Sequence, residues 1–220
     1  MFNYVGMPVL VNDAEAIQKD GKRYYPTPSG NLYPSVTTVT GVRTDISKWR
    51  ARVGEDVANA ISKRATTRGT KFHAIVESYL KNDLDETVEG LPKYLFGAAR
   101  KTLDRISDIH CIEQYLYSDY LRLAGRVDCV ASFDNTLSIV DFKTSTKLKK
   151  EEWIQNYFVQ CAAYALMYYE RTGVKVDKLT ILIACESDMI MQVFETYNIN
   201  YYVKLLHEYI SEWRALNEKY

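Results

Sequence analysis

Gly125-Arg126-Val127-Asp128-Cys129-Val130-Ala131-Ser132-Phe133-Asp134-Asn135-Thr136-Leu137-Ser138-Ile139-Val140-Asp141-Phe142-Lys143-Thr144 contains two β-prone runs divided by the turn signal Asp134-Asn135. Residues two apart on a strand project from one face, so Asp141 and Lys143 point together. Pairing through the turn sets Asp128 about opposite Asp141. Two carboxylates can hold one or two hard divalent cations through oxygen. Such a cation neutralises a phosphodiester, activates a water and stabilises the leaving oxygen. A lysine beside it can orient that water or stabilise developing negative charge. The competing reading is that the aspartates merely end strands and Lys143 pairs with one of them, because a bare Asp-x-Lys occurs often by chance.

Outward from this stretch, Cys111–Tyr117 reads as an upstream strand, Lys178–Cys185 and Met189–Glu195 as downstream ones. A long helix is expected over Lys150–Arg171, ended by Gly173, and a last helix from Asn198 to the end. Tyr24-Tyr25 and Leu32-Tyr33 flank a turn-rich stretch and read as a hairpin. Asp45–Lys81 carries helical apolar spacing, with Gly54 and Gly69 expected to separate helices. Asn82–Gly90 reads as a solvent loop and Tyr94–Ile106 as a further helix. The order implies an α/β (α+β) chain with a central mixed sheet. It is read as one domain over 1–220: a hairpin and helical lobe over 1–106 and a core over 107–220.

Other residues join the cluster by position. His73 and Glu77 are four apart on the segment that Arg68-Gly69-Thr70-Lys71 is expected to open, hence on one face. Glu113 is a charge in a β-prone run, either a supporting residue or an ordinary exposed strand position. Trp153, Tyr157, Gln160 and Tyr164 share one face of the long helix. Ile154, Phe158, Cys161 and Ala165 share a neighbouring, apolar face. Gln160 is an amide among bulky residues; it satisfies a buried backbone group, or it holds the lysine or a substrate phosphate.

The set Gly69…His73, Gly125-x-x-Asp128, Asp141-x-Lys143-Thr144 and Gln160-x-x-x-Tyr164 resembles the RecB-like branch of the PD-(D/E)XK nucleases. Within that branch it is most like the mitochondrial genome maintenance exonucleases and their phage relatives, a likeness that runs from Tyr33 to Tyr169. It implies a restriction-endonuclease-like core with a mixed sheet flanked by helices, plus the N-terminal helical lobe. It also implies metal ligation by His73, Asp128, Asp141 and the Phe142 carbonyl, with Asp128, Asp141, Lys143 and Gln160 catalytic. Arg68, Lys71, Arg126, Thr144, Lys147 and Tyr164 are the substrate-binding candidates, and Glu77 and Glu113 the supporting ones. The implied cofactor is magnesium, with manganese as a substitute. The implied activity is exonucleolytic hydrolysis of DNA with a preference for single strands, in replication, repair or recombination. Two alternatives stay open: a structure-specific or flap endonuclease on the same site, and a nucleic-acid-binding recombination partner with a vestigial one. The proline that names the superfamily is Val127 here.

Composition narrows the rest. With 47% hydrophobic and 25% charged residues the chain is of globular type. Its 28 basic and 28 acidic residues balance, so a polyanionic partner must be met by local clusters. Arg43–Lys71 holds one such cluster (Arg43, Lys48, Arg50, Arg52, Lys63, Arg64, Arg68, Lys71). Lys143, Lys147, Lys149 and Lys150 form another. The cysteines, Cys111, Cys129, Cys161 and Cys185, are scattered without Cys-x-x-Cys spacing, which predicts reduced buried thiols and no iron–sulfur cluster. The first residues carry no signal or transit pattern and no run is long enough to span a membrane. A cytoplasmic protein with DNA as partner and no membrane contact is expected.

Overall fold

The computed structural model describes residues 1–8, 12–84 and 87–217. Part of the expected 82–90 loop and the last three residues of the expected final helix lie outside them. A five-stranded sheet in the order β4-β5-β6-β7-β8 forms the centre. Its strands are β4 (Ile106–Ser118), β5 (Leu123–Phe133), β6 (Thr136–Ser145), β7 (Lys178–Cys185) and β8 (Ile190–Thr196). β6 and β7 are parallel and all other neighbours antiparallel, which makes the sheet mixed as expected. The parallel step requires a crossover, supplied by α5 (Gln155–Thr172).

Helices cover both faces. On one, α3 (Glu55–Leu80) and α4 (Leu91–Leu103) bury Phe72, Ile75, Val76, Leu95 and Leu103 against Cys129, Ala131, Phe133, Val140 and Phe142. On the other, α5 and α6 (Ile199–Asn217) bury Phe158, Cys161, Leu206 and Tyr209 against Val130, Ile139 and Ile181. The expected apolar face of α5 is this core: Ile154, Phe158 and Cys161 are fully buried. The C-terminal half of α3 is therefore itself one layer of the sandwich.

A small antiparallel sheet, β1 (Ile17–Lys19), β2 (Lys22–Pro26) and β3 (Leu32–Pro34), contains the expected hairpin with Tyr25 opposite Tyr33. A bridge from Ser35 to Ala124 ties it to β5. Ser35 caps the short α1 (Val36–Thr40) by accepting from the Thr38 N–H.

Gly69 does not separate helices. α3 runs through it without a break: the turns that follow it bury Phe72, Ile75, Val76 and Leu80 on the sheet, and that packing outweighs a glycine's cost of about 1 kcal/mol. Gly54 does break the chain. Its φ of 87° lies where a side chain is strained, and it turns α2 (Ser47–Val53) into α3. Other limits shift as well. α5 begins at Gln155, after a 3₁₀ turn at Glu151–Trp153, rather than at Lys150. α4 starts earlier, with Pro92 in its first turn, and stops before Ile106 opens β4. The β-prone run expected over Leu137–Phe142 extends as β6 from Thr136 to Ser145, so Lys143 lies inside the strand.

Candidate active site

The ladder between β5 and β6 runs from Phe133↔Thr136 to Cys129↔Val140 and stops there. β5 continues along β4 to Leu123, and β6 continues along β7 to Ser145. The two strands part in the middle of the sheet, and the functional side chains gather at this fork. Continuing the register would set Asp128 against Asp141, as the turn predicted. Asp128 Oδ2 instead accepts the Phe142 N–H at 2.8 Å, satisfying a backbone donor that the ended ladder leaves over.

The fork admits groups from both layers. From α3, His73 Nε2 lies 2.8 Å from the Phe142 carbonyl oxygen, and its Nδ1 lies 3.5 Å from Glu113 Oε1 and 3.9 Å from Asp128 Oδ1. From α5, Gln160 Nε2 donates to Asp141 Oδ1 at 3.2 Å. Lys143 Nζ donates to the same oxygen at 2.5 Å and sits over the Tyr157 ring, 5.3 Å from its centroid. Gln160 thus holds the aspartate itself. Asp141 Oδ2 lies 2.5 Å from Lys143 Nζ but has no partner of hydrogen-bonding geometry, and it is buried.

The charges brace one another. For His73, burial is the largest influence and disfavours the charged ring, but Asp128 and Glu113 outweigh it and its pKa is pushed up to about 9. Burial raises both aspartates. For Asp141 it outweighs the pull of Lys143, and Asp128 adds to it, giving about 6. Burial also disfavours the Lys143 ammonium, but Asp141 and Asp128 more than compensate and hold it protonated well above its ordinary range.

These residues fit a hard divalent cation. His73, Glu113 and Asp128 each offer an atom within 4.8 Å of the others. The Phe142 carbonyl fixes Nε2–H as the proton a neutral His73 keeps, which turns Nδ1 toward the carboxylates. Asp141 Oδ2 is a further buried oxygen, in an ion pair with Lys143 but without a hydrogen bond of good geometry. Glu113, read from sequence only as a supporting candidate, stands inside this set. Its signal was a lone charge in a β-prone run, and only the tertiary contact with His73 reveals its place. Gly69, Thr70, His73, Ala74, Glu77 and Glu113 line a cleft of about 410 Å³ here. Glu77 is at its wall, paired with Lys81 at 2.6 Å. A larger depression of about 670 Å³ between β3 and α6 contains none of the predicted residues.

Several substrate-binding candidates sit elsewhere. Arg68 is buried and binds Thr144, Thr146 and Glu186, so it ties α3 to the ends of β6 and β7. Thr144 accepts from it and faces α3, away from Asp141. Arg126 bonds the Glu113 carbonyl and Asp13. Tyr164 is buried beneath Gly125. Lys71 and Lys147 are exposed. Within the first basic cluster, Arg43 pairs with Glu208 and Glu212 of α6, Arg50 with Glu55, and Arg64 with Glu186. The cysteines are all buried and free.

The profile described as the PD-(D/E)XK nuclease superfamily matches residues 99–190, the segment that carries Glu113, Asp128, Asp141, Lys143 and Gln160. Over this segment the chain is similar to the PD-(D/E)XK nuclease superfamily. His73, on α3, lies outside the matched residues. The chain is also similar to mitochondrial genome maintenance exonuclease 1 of Homo sapiens, at 30% identity over 150 residues, which cover 61% of this chain and 43% of that protein. The proteins of that name from Mus musculus and Xenopus tropicalis match at 27% and 29%. Each match covers 54% of this chain, and 39% and 36% of those proteins respectively. The match thus spans less than half the length of these relatives. No helix among the described residues is long and apolar enough to cross a membrane.

Proposed function

We propose that this chain is a magnesium-dependent deoxyribonuclease that trims single-stranded DNA from a free end, with manganese able to substitute. The observation that carries the reading is the meeting of His73, Glu113, Asp128, Asp141 and Lys143 at one fork of a superfamily sheet. His73, Glu113 and Asp128, with Asp141 beside them, would hold the metal. When bound, a divalent cation supplies charge neutralisation and an acidified water. Lys143 is locked in its protonated form by Asp141, so it serves as a fixed positive donor rather than a base. Its task is to orient water and to offset negative charge as the phosphorus becomes five-coordinate. Gln160 keeps Asp141 aligned for both partners.

The preference for a free single-stranded end is supported by α3. Its first half, residues 55–67, is exposed at every position except Ala58. Lys48, Arg52, Lys63 and Lys71 are exposed along α2 and α3, with no ion pair among the described residues. A basic arm beside the cleft at His73 and Glu113 offers phosphate contacts to one flexible strand. The test compares a linear labelled oligonucleotide with a covalently closed circle of identical sequence, in magnesium, manganese or chelator. Both metals should support loss of the linear strand, chelator should stop it, and the circle should survive. Comparable loss of both forms would remove the end requirement. Degradation of neither would remove the nuclease reading.

A further inference from the structure

We propose that the entrance of α5 is a base-stacking platform, in which Trp153 receives a nucleobase of the strand lying in the site and Lys150 its neighbouring phosphate. The inference rests on the nuclease reading and adds a subsite to it.

Trp153 closes the 3₁₀ turn Glu151–Trp153 and is 58% exposed. A tryptophan exposed to that degree leaves a large apolar face in water, and such rings are typical of recognition surfaces. The turn that presents it is rigid. Ile154, the next residue, is fully buried in the core, and backbone bonds from Trp153 to Lys150 and from Ile154 to Glu151 close the loop. A turn closed in this way has little backbone freedom left to lose when a base stacks on its ring. Lys150 Nζ lies 5.4 Å from the ring centroid, so aromatic and cationic groups are presented together.

The platform adjoins the chemistry. Tyr157, four residues on, lies with its ring against Lys143 Nζ. Trp153 and the residue that contacts the catalytic lysine thus lie four positions apart in the chain, on either side of the junction at Ile154 between the 3₁₀ turn and α5. The charge around it favours a phosphate backbone. Lys143, Lys147, Lys149 and Lys150 outnumber Glu151 and Glu152, and the Lys150–Glu152 pair is a loose, exposed one at 3.8 Å. Every base has a π-face, so the platform should be tolerant of sequence.

The test measures binding in chelator, where nothing is cut. A fluorescent twelve-residue oligothymidylate is compared with an abasic strand of equal length, by anisotropy at low salt. Wild type should prefer the thymidylate strand by about tenfold, the order that one stacked base contributes. Trp153→Ala should lose most of that preference, and Trp153→Phe should keep much of it. Thermal melting checks that the variants fold. If Trp153→Ala retains the full preference while wild type still cleaves DNA, the platform is wrong and the nuclease reading stands. If wild type binds neither strand and cleaves nothing, both fall.

Discussion

A Cβ placed on Gly125 would lie 2.6 Å from the Tyr164 hydroxyl and 3.1 Å from its ring. Two residues that the sequence offers as separate motif elements are therefore one contact: the helix behind the fork presses a buried ring onto bare backbone. A glycine in a strand usually gives way to alanine with a gain of a few tenths of a kcal/mol or more, because the unfolded chain loses freedom. Here the sign should reverse. Gly125→Ala should destabilise by about 1–3 kcal/mol, the usual range for overpacking, and Tyr164→Phe should recover part of that loss in the double variant. Urea melts of the four proteins check it, and an unchanged midpoint for Gly125→Ala would contradict the contact.

Metal affinity should follow the His73–Glu113–Asp128 set. His73→Ala and Glu113→Gln should each weaken manganese binding by roughly 10-fold or more while leaving the far-ultraviolet spectrum unchanged. Isothermal titration reads this directly. Full affinity in Glu113→Gln would return that residue to an ordinary strand position.

Arg68 should act on stability. Removing it leaves Glu186, which is 17% exposed, with Arg64 as its remaining ion-pair partner and takes a donor from two threonines. Arg68→Met should cost on the order of 3 kcal/mol at most, since the pair is only partly shielded. An undiminished melting temperature together with a raised KM for DNA would make Arg68 a substrate contact after all.

The thiols should be silent. Burial pushes Cys111 up to about 12 and raises Cys129 and Cys161 well above the ordinary thiol range. Native protein should react with a disulfide reagent only as it unfolds, and purified protein should carry no iron. A brown, sulfide-containing preparation would overturn this.

The fold was readable where one residue type has one reason to be present. The apolar run of β7 was read to its exact limits, and the Asp134-Asn135 turn set the register that brings Asp128 to Asp141. Legibility failed where the deciding partner is distant in sequence. Arg68 looks like a phosphate ligand until Glu186, 118 residues on, is found beside it. Gly69 looks like a helix stop until the sheet beneath α3 holds the helix through it. β6 runs on past its apolar residues Ile139, Val140 and Phe142 because Lys143, Thr144 and Ser145 remain paired to β7. Glu113 carried too little local signal to be separated from a solvated strand charge.

The central claim is that Lys143, held charged by Asp141 beside the Asp128 carboxylate, takes part in metal-dependent phosphodiester cleavage. The most direct measurement is single-turnover cleavage of an end-labelled single-stranded oligonucleotide in magnesium by wild type, Lys143→Ala and Asp128→Asn. All three must first be shown to be folded by thermal melting. Wild type should cleave and chelator should abolish cleavage, with a fall of roughly 10²–10³-fold or more in each variant. Near wild-type turnover by Lys143→Ala would contradict it.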